Sequence, residues 1–220
     1  MLDQLIIGDK FSNDDFGATV RERKISAPKK KSIKETVPFS NITYDFSKIN
    51  GEIYWEEREL EYVLEMIADT PEELEEQKTD LGSWLMNVFE EKLIDPFILD
   101  YYFLATFSGI DFEDEVEKCT VTVTFTAYPY KIANNPRVYN INLTTTAQTV
   151  QILNNSSHRI TPTFKNTVPV TVTKGNTTFS FSTGETTNEE FMLETGTTML
   201  SVKSTSGTGT LQIYFYEEVF

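Results

Sequence analysis

Lys118-Cys-Thr-Val-Thr-Val-Thr-Phe-Thr-Ala-Tyr-Pro-Tyr-Lys131 is the stretch on which the reading of this chain turns. From Thr120 to Thr126 every second residue is threonine, while Val121, Val123 and Phe125 share the other face. That period of two marks a strand with one face in a core and one in water. Tyr128-Pro129-Tyr130 ends the pairing, because proline cannot donate to a sheet ladder. Composition changes sharply after this point, so Tyr128, Pro129, Tyr130 and Pro136 are read as a domain hinge. The expected division is residues 1–131 and 132–220, and a chain of 220 residues is long enough for two cores.

Charge follows the same division. Residues 1–131 hold 28 acids and 14 bases, a net charge of −14, whereas 132–220 hold 6 acids and 5 bases. Such acidity disfavours binding to nucleic acid, whose affinity for proteins rests on neutralised phosphates. The 16 Phe and 10 Tyr are too many for a disordered chain. Cys119 is the only cysteine, which excludes an internal disulfide and any multi-cysteine metal site. The first eight residues carry an acid where a secretory signal carries bases, and no apolar run approaches the ~20 residues that span a bilayer. Synthesis and folding in the cytoplasm, with no membrane partner, are expected.

Along the first half, Leu5-Ile-Ile7 and Ala18 to Ile25 read as strands separated by Gly-Asp and Asp-Phe-Gly turns. Ser26 to Lys34 holds the only basic cluster of an acidic domain, Lys29, Lys30, Lys31 and Lys34, on a projecting arm placed at about 22–40. Such lysines either dock on an acidic neighbour or protect a sheet edge. Val37 to Phe46 and Ile53 to Met66 are expected to form a hairpin around Lys48-Ile-Asn-Gly51. Thr70-Pro-Glu-Glu73 is a capping box with proline at the first helical position, which predicts a helix over about 71–93. Phe97 to Phe107 reads as a strand and Ser108 to Glu117 as an acidic turn. The first domain is therefore expected to be α+β, a mainly antiparallel sheet with one amphipathic helix.

From Arg137 onward there are twenty threonines and no helical pattern. Eight short alternating runs separated by turn clusters, among them Thr161 to Lys165 and Glu190 to Glu194, predict a β-sandwich or jelly roll.

No constellation names a reaction. His158 is the only histidine, so a multi-histidine metal centre is excluded and a Ser-His-Asp relay has no support. Cys119 opens a buried strand and reads as a core thiol. Asp111-Phe-Glu-Asp-Glu115 lacks the spacing and central glycine of a calcium loop. Ser206-Gly-Thr-Gly209 has no following lysine, as a phosphate loop requires. No cofactor is expected, and a building-block or binding role is what remains.

The order of elements adds a resemblance. A short strand with a Gly-Asp turn, Asp15-Phe-Gly17, a proline-interrupted arm, a hairpin, a capped helix ending near Trp84-Leu85 and a strand closing in Ala127-Tyr-Pro-Tyr-Lys131 together resemble the distal tail (Dit) proteins of long-tailed phages. The resemblance covers residues 1–131 and implies a ring-forming domain, followed by a galectin-like or carbohydrate-module-like sandwich over 132–220. It implies a structural role without catalysis: a homo-hexameric hub, in a single or double ring, at the end of the tail tube. Its partners would be the tube protein, the tail-tip protein and the receptor-binding proteins, with DNA only passing through the lumen. In that setting the lysines of the arm face acids of the adjacent subunit. The alternative is a carbohydrate-binding adhesin module acting through the sandwich.

Overall fold

A computed structural model describes residues 3–36, 38–47, 51, 53–115 and 118–220. The chain divides into two compact units, residues 1–131 together with Phe220, and residues 132–219. Among the described residues it is mostly antiparallel β-structure with a single α-helix, the coarse class that the sequence predicts.

The first unit is built on ten elements: β1 (Ile6–Ile7), β2 (Lys10–Phe11), β3 (Ala18–Ile25), β4 (Lys34–Thr36), β5 (Thr43–Asp45), β6 (Arg58–Ile67), α1 (Pro71–Leu85), β7 (Glu91–Ile94), β8 (Tyr101–Asp114) and β9 (Lys118–Ala127). Seven strands pair in the order β2-β1-β7-β8-β9-β6-β3, while β4 and β5 form a separate two-stranded ribbon. At the centre, β9 pairs along its whole length with β6, from Arg58 opposite Ala127 to Ile67 opposite Lys118. Cys119, Val121, Val123, Phe125 and Ala127 are all buried and alternate with half-buried threonines. Leu60, Tyr62, Leu64 and Met66 of β6 complete the dry face. Irregularities of register interrupt β3 between Val20 and Glu22, and β8 between Phe107 and Gly109.

Helix α1 covers that dry face. Thr70 accepts a hydrogen bond from the Glu73 amide at 3.2 Å, and Pro71 takes the first turn, where no amide donor is needed. Leu74, Leu81 and Leu85 are buried against the sheet, and Trp84 stacks on Phe16 with ring centroids 4.6 Å apart. Lys78 reaches from the helix to Asp114 of β8 at 2.8 Å and to Glu75 at 2.7 Å.

Beyond the helix, a buried carboxylate holds the sheet together. Asp95 follows β7, is fully inaccessible, and receives Arg23 of β3 at 2.6 Å, the Tyr62 hydroxyl at 3.0 Å and the Phe97 amide at 2.8 Å. The Arg23 guanidinium also lies 4.5 Å from the centre of the Phe97 ring. Burial, and then the neighbouring Asp95 charge, push the Tyr62 hydroxyl well above its usual range, so it serves only as a donor.

Several expectations need correction. The helix ends at Leu85 rather than near 93. Met86 to Val88 turn out of it, Glu90 adopts a positive φ of 50°, and Glu91 to Leu93 pair with β8. Leu93 enters the core as a strand residue, whereas Phe89, inside the range expected to be helical, is exposed. The strand after it begins at Tyr101, because Asp95 folds residues 95–98 into a turn. It then runs on through the expected acidic turn to Asp114. The arm starts after Ile25, since Glu22 to Ile25 pair with β6. The hairpin of Val37 to Phe46 with Ile53 to Met66 is replaced by three pairings, Lys34–Thr36 with Thr43–Asp45, β6 with β3 and β6 with β9. Pro38 and Phe39, the latter at a φ of 61°, form the turn between β4 and β5. Residues 48–50 of the expected Asn-Gly turn lie outside the described residues.

In the second unit, after β10 (Lys131–Ala133), come β11 (Arg137–Leu143), β12 (Gln148–Asn154), β13 (Thr163–Asn166), β14 (Val170–Lys174), β15 (Thr177–Phe181), β16 (Gly184–Thr187), β17 (Gly196–Ser204), β18 (Gly209–Phe215) and β19 (Glu218–Val219). Two four-stranded antiparallel sheets, β11-β18-β13-β16 and β12-β17-β14-β15, share one core that includes Leu143, Phe164, Leu211 and Ile213 from the first and Ile152, Val172, Leu200 and Val202 from the second. Phe164 stacks on Phe181 at 4.3 Å and meets Phe191 edge-on at 4.9 Å. Glu190 to Glu194 is not a regular strand: Phe191 closes a turn on Asn188, and Leu193 makes an isolated bridge to Ile160. The sheet position goes instead to Gly184–Thr187, a polar run whose pattern carries little signal.

Replacing Asp95 with Ala leaves the Tyr62 hydroxyl and Arg23 without their shared acceptor. The first unit should lose about 3 kcal/mol of stability, read from urea unfolding, whereas Asp114→Ala at the exposed end of β8 should change it by less than about 1 kcal/mol.

Candidate functional site

Two surfaces of the first unit stand out, an arm and an uncovered sheet face. The arm leaves the sheet after Ile25. Its base is a short ribbon in which Glu56 donates its amide to Lys29 at 2.8 Å and Lys31 donates to Tyr54 at 2.8 Å. Farther out, β4 pairs with β5, and Phe46 donates to the Ile33 carbonyl at 2.8 Å. Lys29, Lys30, Lys31 and Lys34 are all exposed, and the structure brings them onto this one ribbon. They share it with Ile33, Phe39, Ile42, Tyr44 and Phe46, all exposed although apolar. Among these Phe39 is fully exposed, and Tyr44 and Phe46 stack at 6.3 Å. A two-stranded ribbon has no core of its own, and apolar side chains gathered on one mark a surface that binds something.

The second surface is the face of the sheet opposite α1. Thr120, Thr122, Thr124 and Thr126 form a column along β9. Glu65, Val63, Glu61 and Glu59 of β6 stand beside them on one side, and on the other Glu113 and Asp111 of β8 stand beside Thr120 and Thr122. Glu22 and Lys24 extend the rows onto β3. Arg21 and Lys118 both bind Glu65, the latter at 2.8 Å, and Lys24 lies 3.7 Å from Glu61. Those two cations hold the Glu65 carboxyl below its usual range, the Lys118 hydrogen bond being the largest influence. Six acids against three bases leave the face acidic. Hydroxyls and carboxylates at this density suit contact with water rather than burial.

The residues named for the hinge are not alike. Tyr128 still donates its amide to the Leu104 carbonyl at 2.9 Å, so the ladder runs one residue past β9. Pro129 and Tyr130 are buried, and Tyr130 packs on Tyr128 at 5.6 Å and on Phe220 at 4.9 Å. Pro136 is half-buried just before β11.

Groups capable of chemistry are committed elsewhere. The His158 ring nitrogens meet Glu218 at 2.8 Å and the Arg159 carbonyl at 2.7 Å. Cys119 is buried, and burial, with the Asp114 carboxylate as a lesser cause, pushes its thiol up to about 12. Among the described residues no group of three His, Cys, Asp or Glu is arranged to hold a metal ion, and no helix is long and apolar enough to cross a membrane.

No family model and no curated protein matches the sequence. Solved structures do match. The crystal structure of the Dit protein (gp 19.1) of SPP1 superposes with a TM-score of 0.70, covering 97% of this chain and 98% of that one at 14% identity. The fold is that of the SPP1 Dit protein. That protein is described as a paradigm of the hub adsorption apparatus in phages that infect Gram-positive bacteria. Two structures of the phage p2 baseplate in its activated conformation, with strontium and with calcium, are also similar. Their TM-scores are 0.42 and 0.41 at 11% identity, over 96% and 97% of this chain and 97% and 98% of those. The Dit fold extends through both compact units, whereas the resemblance legible in the sequence covers only residues 1–131.

The Cys119 thiol gives a direct test of the central strand. Its raised value means that the native thiol keeps its proton where the unfolded one, near 9, loses it, so this group's contribution to stability falls as pH rises from about 9 to about 12. At pH 8 a disulfide reagent should label the native protein roughly a thousandfold more slowly than the urea-unfolded chain, followed by absorbance of the released thiolate.

Proposed function

We propose that this chain is a non-enzymatic structural protein of a phage tail, a distal tail hub. In this reading six copies form a ring that continues the tail tube. The ring is held on one side by the tube protein and on the other by the tail-tip and receptor-binding proteins, and the chain is made in the cytoplasm of the host. The observation that carries the proposal is a Dit fold running through nearly the full length of both chains, combined with an arm whose apolar residues lie open in a free copy.

Each surface takes a part in the ring. The arm, with Lys29, Lys30, Lys31 and Lys34, clasps the adjacent subunit, whose first unit carries the −14 charge that attracts it. The threonine and carboxylate face lines the lumen, where like charge keeps passing DNA from sticking. The second unit projects outward as a galectin-like sandwich, and Tyr128 to Pro136 is the hinge between wall and projection.

Negative-stain imaging of the purified protein should give six-fold rings with a central hole, and particles without a hole would refute the hub. Replacing the four arm lysines with Glu should move the protein to smaller species on sizing chromatography while its circular dichroism stays unchanged. In a ring resolved by cryo-electron microscopy, Glu59, Glu61, Asp111 and Glu113 should face the lumen, and a neutral or basic lining would count against that assignment.

A further inference from the structure

At the base of the arm, where β3 gives way to the ribbon, lies a cavity of about 400 Å³. Ile25 and Pro28 form one wall, and Trp55 and Phe220, in edge contact at 4.7 Å, form another. Arg58 and Lys131 also line it, two cations in a hollow whose other lining is apolar apart from Ser26.

Arg58 occupies the first core-side position of β6, opposite Ala127 of β9. Its backbone register therefore sends the side chain to the same face as Leu60 and Tyr62. It is only 5% exposed, and its guanidinium lies 5.7 Å from the centre of the Phe103 ring. Its Nε is buried with no hydrogen-bond partner. Among the described residues no Asp or Glu side chain forms an ion pair with Arg58 or with Lys131. Desolvation lowers the proton affinity of both, and in Lys131 the neighbouring Arg58 charge lowers it further. A buried cation without a counter-charge is strongly unfavourable, and the half-buried Lys131 beside Arg58 adds like charge. In a chain with 34 acids, their isolation is an anomaly.

We infer that this pocket is a receptor for a carboxylate side chain of a second copy of this chain. A guanidinium matches a carboxylate in a planar, two-bonded fork. The Lys131 ammonium adds a second donor, and the Trp55 and Phe220 rings accommodate the methylenes of an Asp or Glu side chain. A second copy is the occupant that charge complementarity favours, because its first unit presents an excess of 14 acids. The pocket lies at the foot of the arm, where its wall residue Trp55 bridges Lys30, so one neighbouring copy can cover both. The inference rests on the self-assembly proposed above and assigns it a specific contact.

The test joins unlabelled and nitrogen-15-labelled copies, assembled together, with a water-soluble carbodiimide that couples only amines and carboxylates already in contact. Peptides are then read by mass spectrometry. The expected product is Lys131 joined to an Asp or Glu of the other isotopic copy. Alongside it, Arg58→Met with Lys131→Met should keep the wild-type circular dichroism and weaken self-association at least tenfold in sedimentation. Where the wild type assembles but the Lys131 peptide comes out unlinked, the receptor is wrong and the ring is untouched. A wild type that sediments as a monomer at every concentration overturns the ring and the receptor with it. Because the cross-link is read on the unmodified chain, a double variant that fails to fold does not remove the test.

Discussion

A single helix can cover only one side of a sheet. Helix α1 has fifteen residues, about 22 Å of length, and lies on the dry face of a sheet seven strands wide. The other side of that sheet must therefore tolerate water or be covered by something outside the unit. Threonine on β9 and glutamate on β6 are the residues that meet this constraint, with a β-branched or extended side chain for the pleat and a polar end for the solvent. The same geometry explains why Asp95, Tyr62 and Arg23 form a buried polar cluster. Beyond the part of the sheet that the helix seals, a short turn closes the core, and the carboxylate takes up the donors that close packing brings there.

The legible parts of the sequence are those in which local chemistry and tertiary demand agree. Thr120 to Thr126 alternates without a break because β9 is central and paired on both sides. Thr70 to Glu73 carries its helix start in its own side chains. The end of that helix is not local: Val88 and Phe89 continue the apolar spacing, but Glu91 to Leu93 gain more by pairing with β8 than by another turn. The Asn50-Gly51 signal misleads in a related way, since the partner of β6 is settled by β3 and β9 rather than by the nearest turn. Gly184 to Thr187 is invisible because an edge strand with little to bury has no apolar alternation to display.

The candidate surfaces divide along the same line. Four lysines in a short run are visible in any reading of the sequence, as is the acidity around them. That Phe39, Ile42 and Tyr44 remain uncovered is not visible, because the same residues in a paired strand would face a core. Arg58 and Lys131 are separated by 73 positions, the difference of their numbers. Only the register of β6 on β9, together with the turn at Pro129, brings them to one cavity. Their lack of an ion pair with any described Asp or Glu side chain is a property of three-dimensional placement in a chain with 34 acids and 19 Lys and Arg.

The edges of the first sheet have a further consequence. One end of the seven-strand path is β2, two residues long, and the other is β3, which carries Arg21, Glu22, Arg23 and Lys24 in succession and is offset in register after Val20. Short, charged or bulged edges discourage the open-ended strand addition that leads to fibres. A sheet with such edges is steered away from indefinite growth. The chain's stickiness is confined to a ribbon standing apart from the sheet, where contacts can close on themselves and stop.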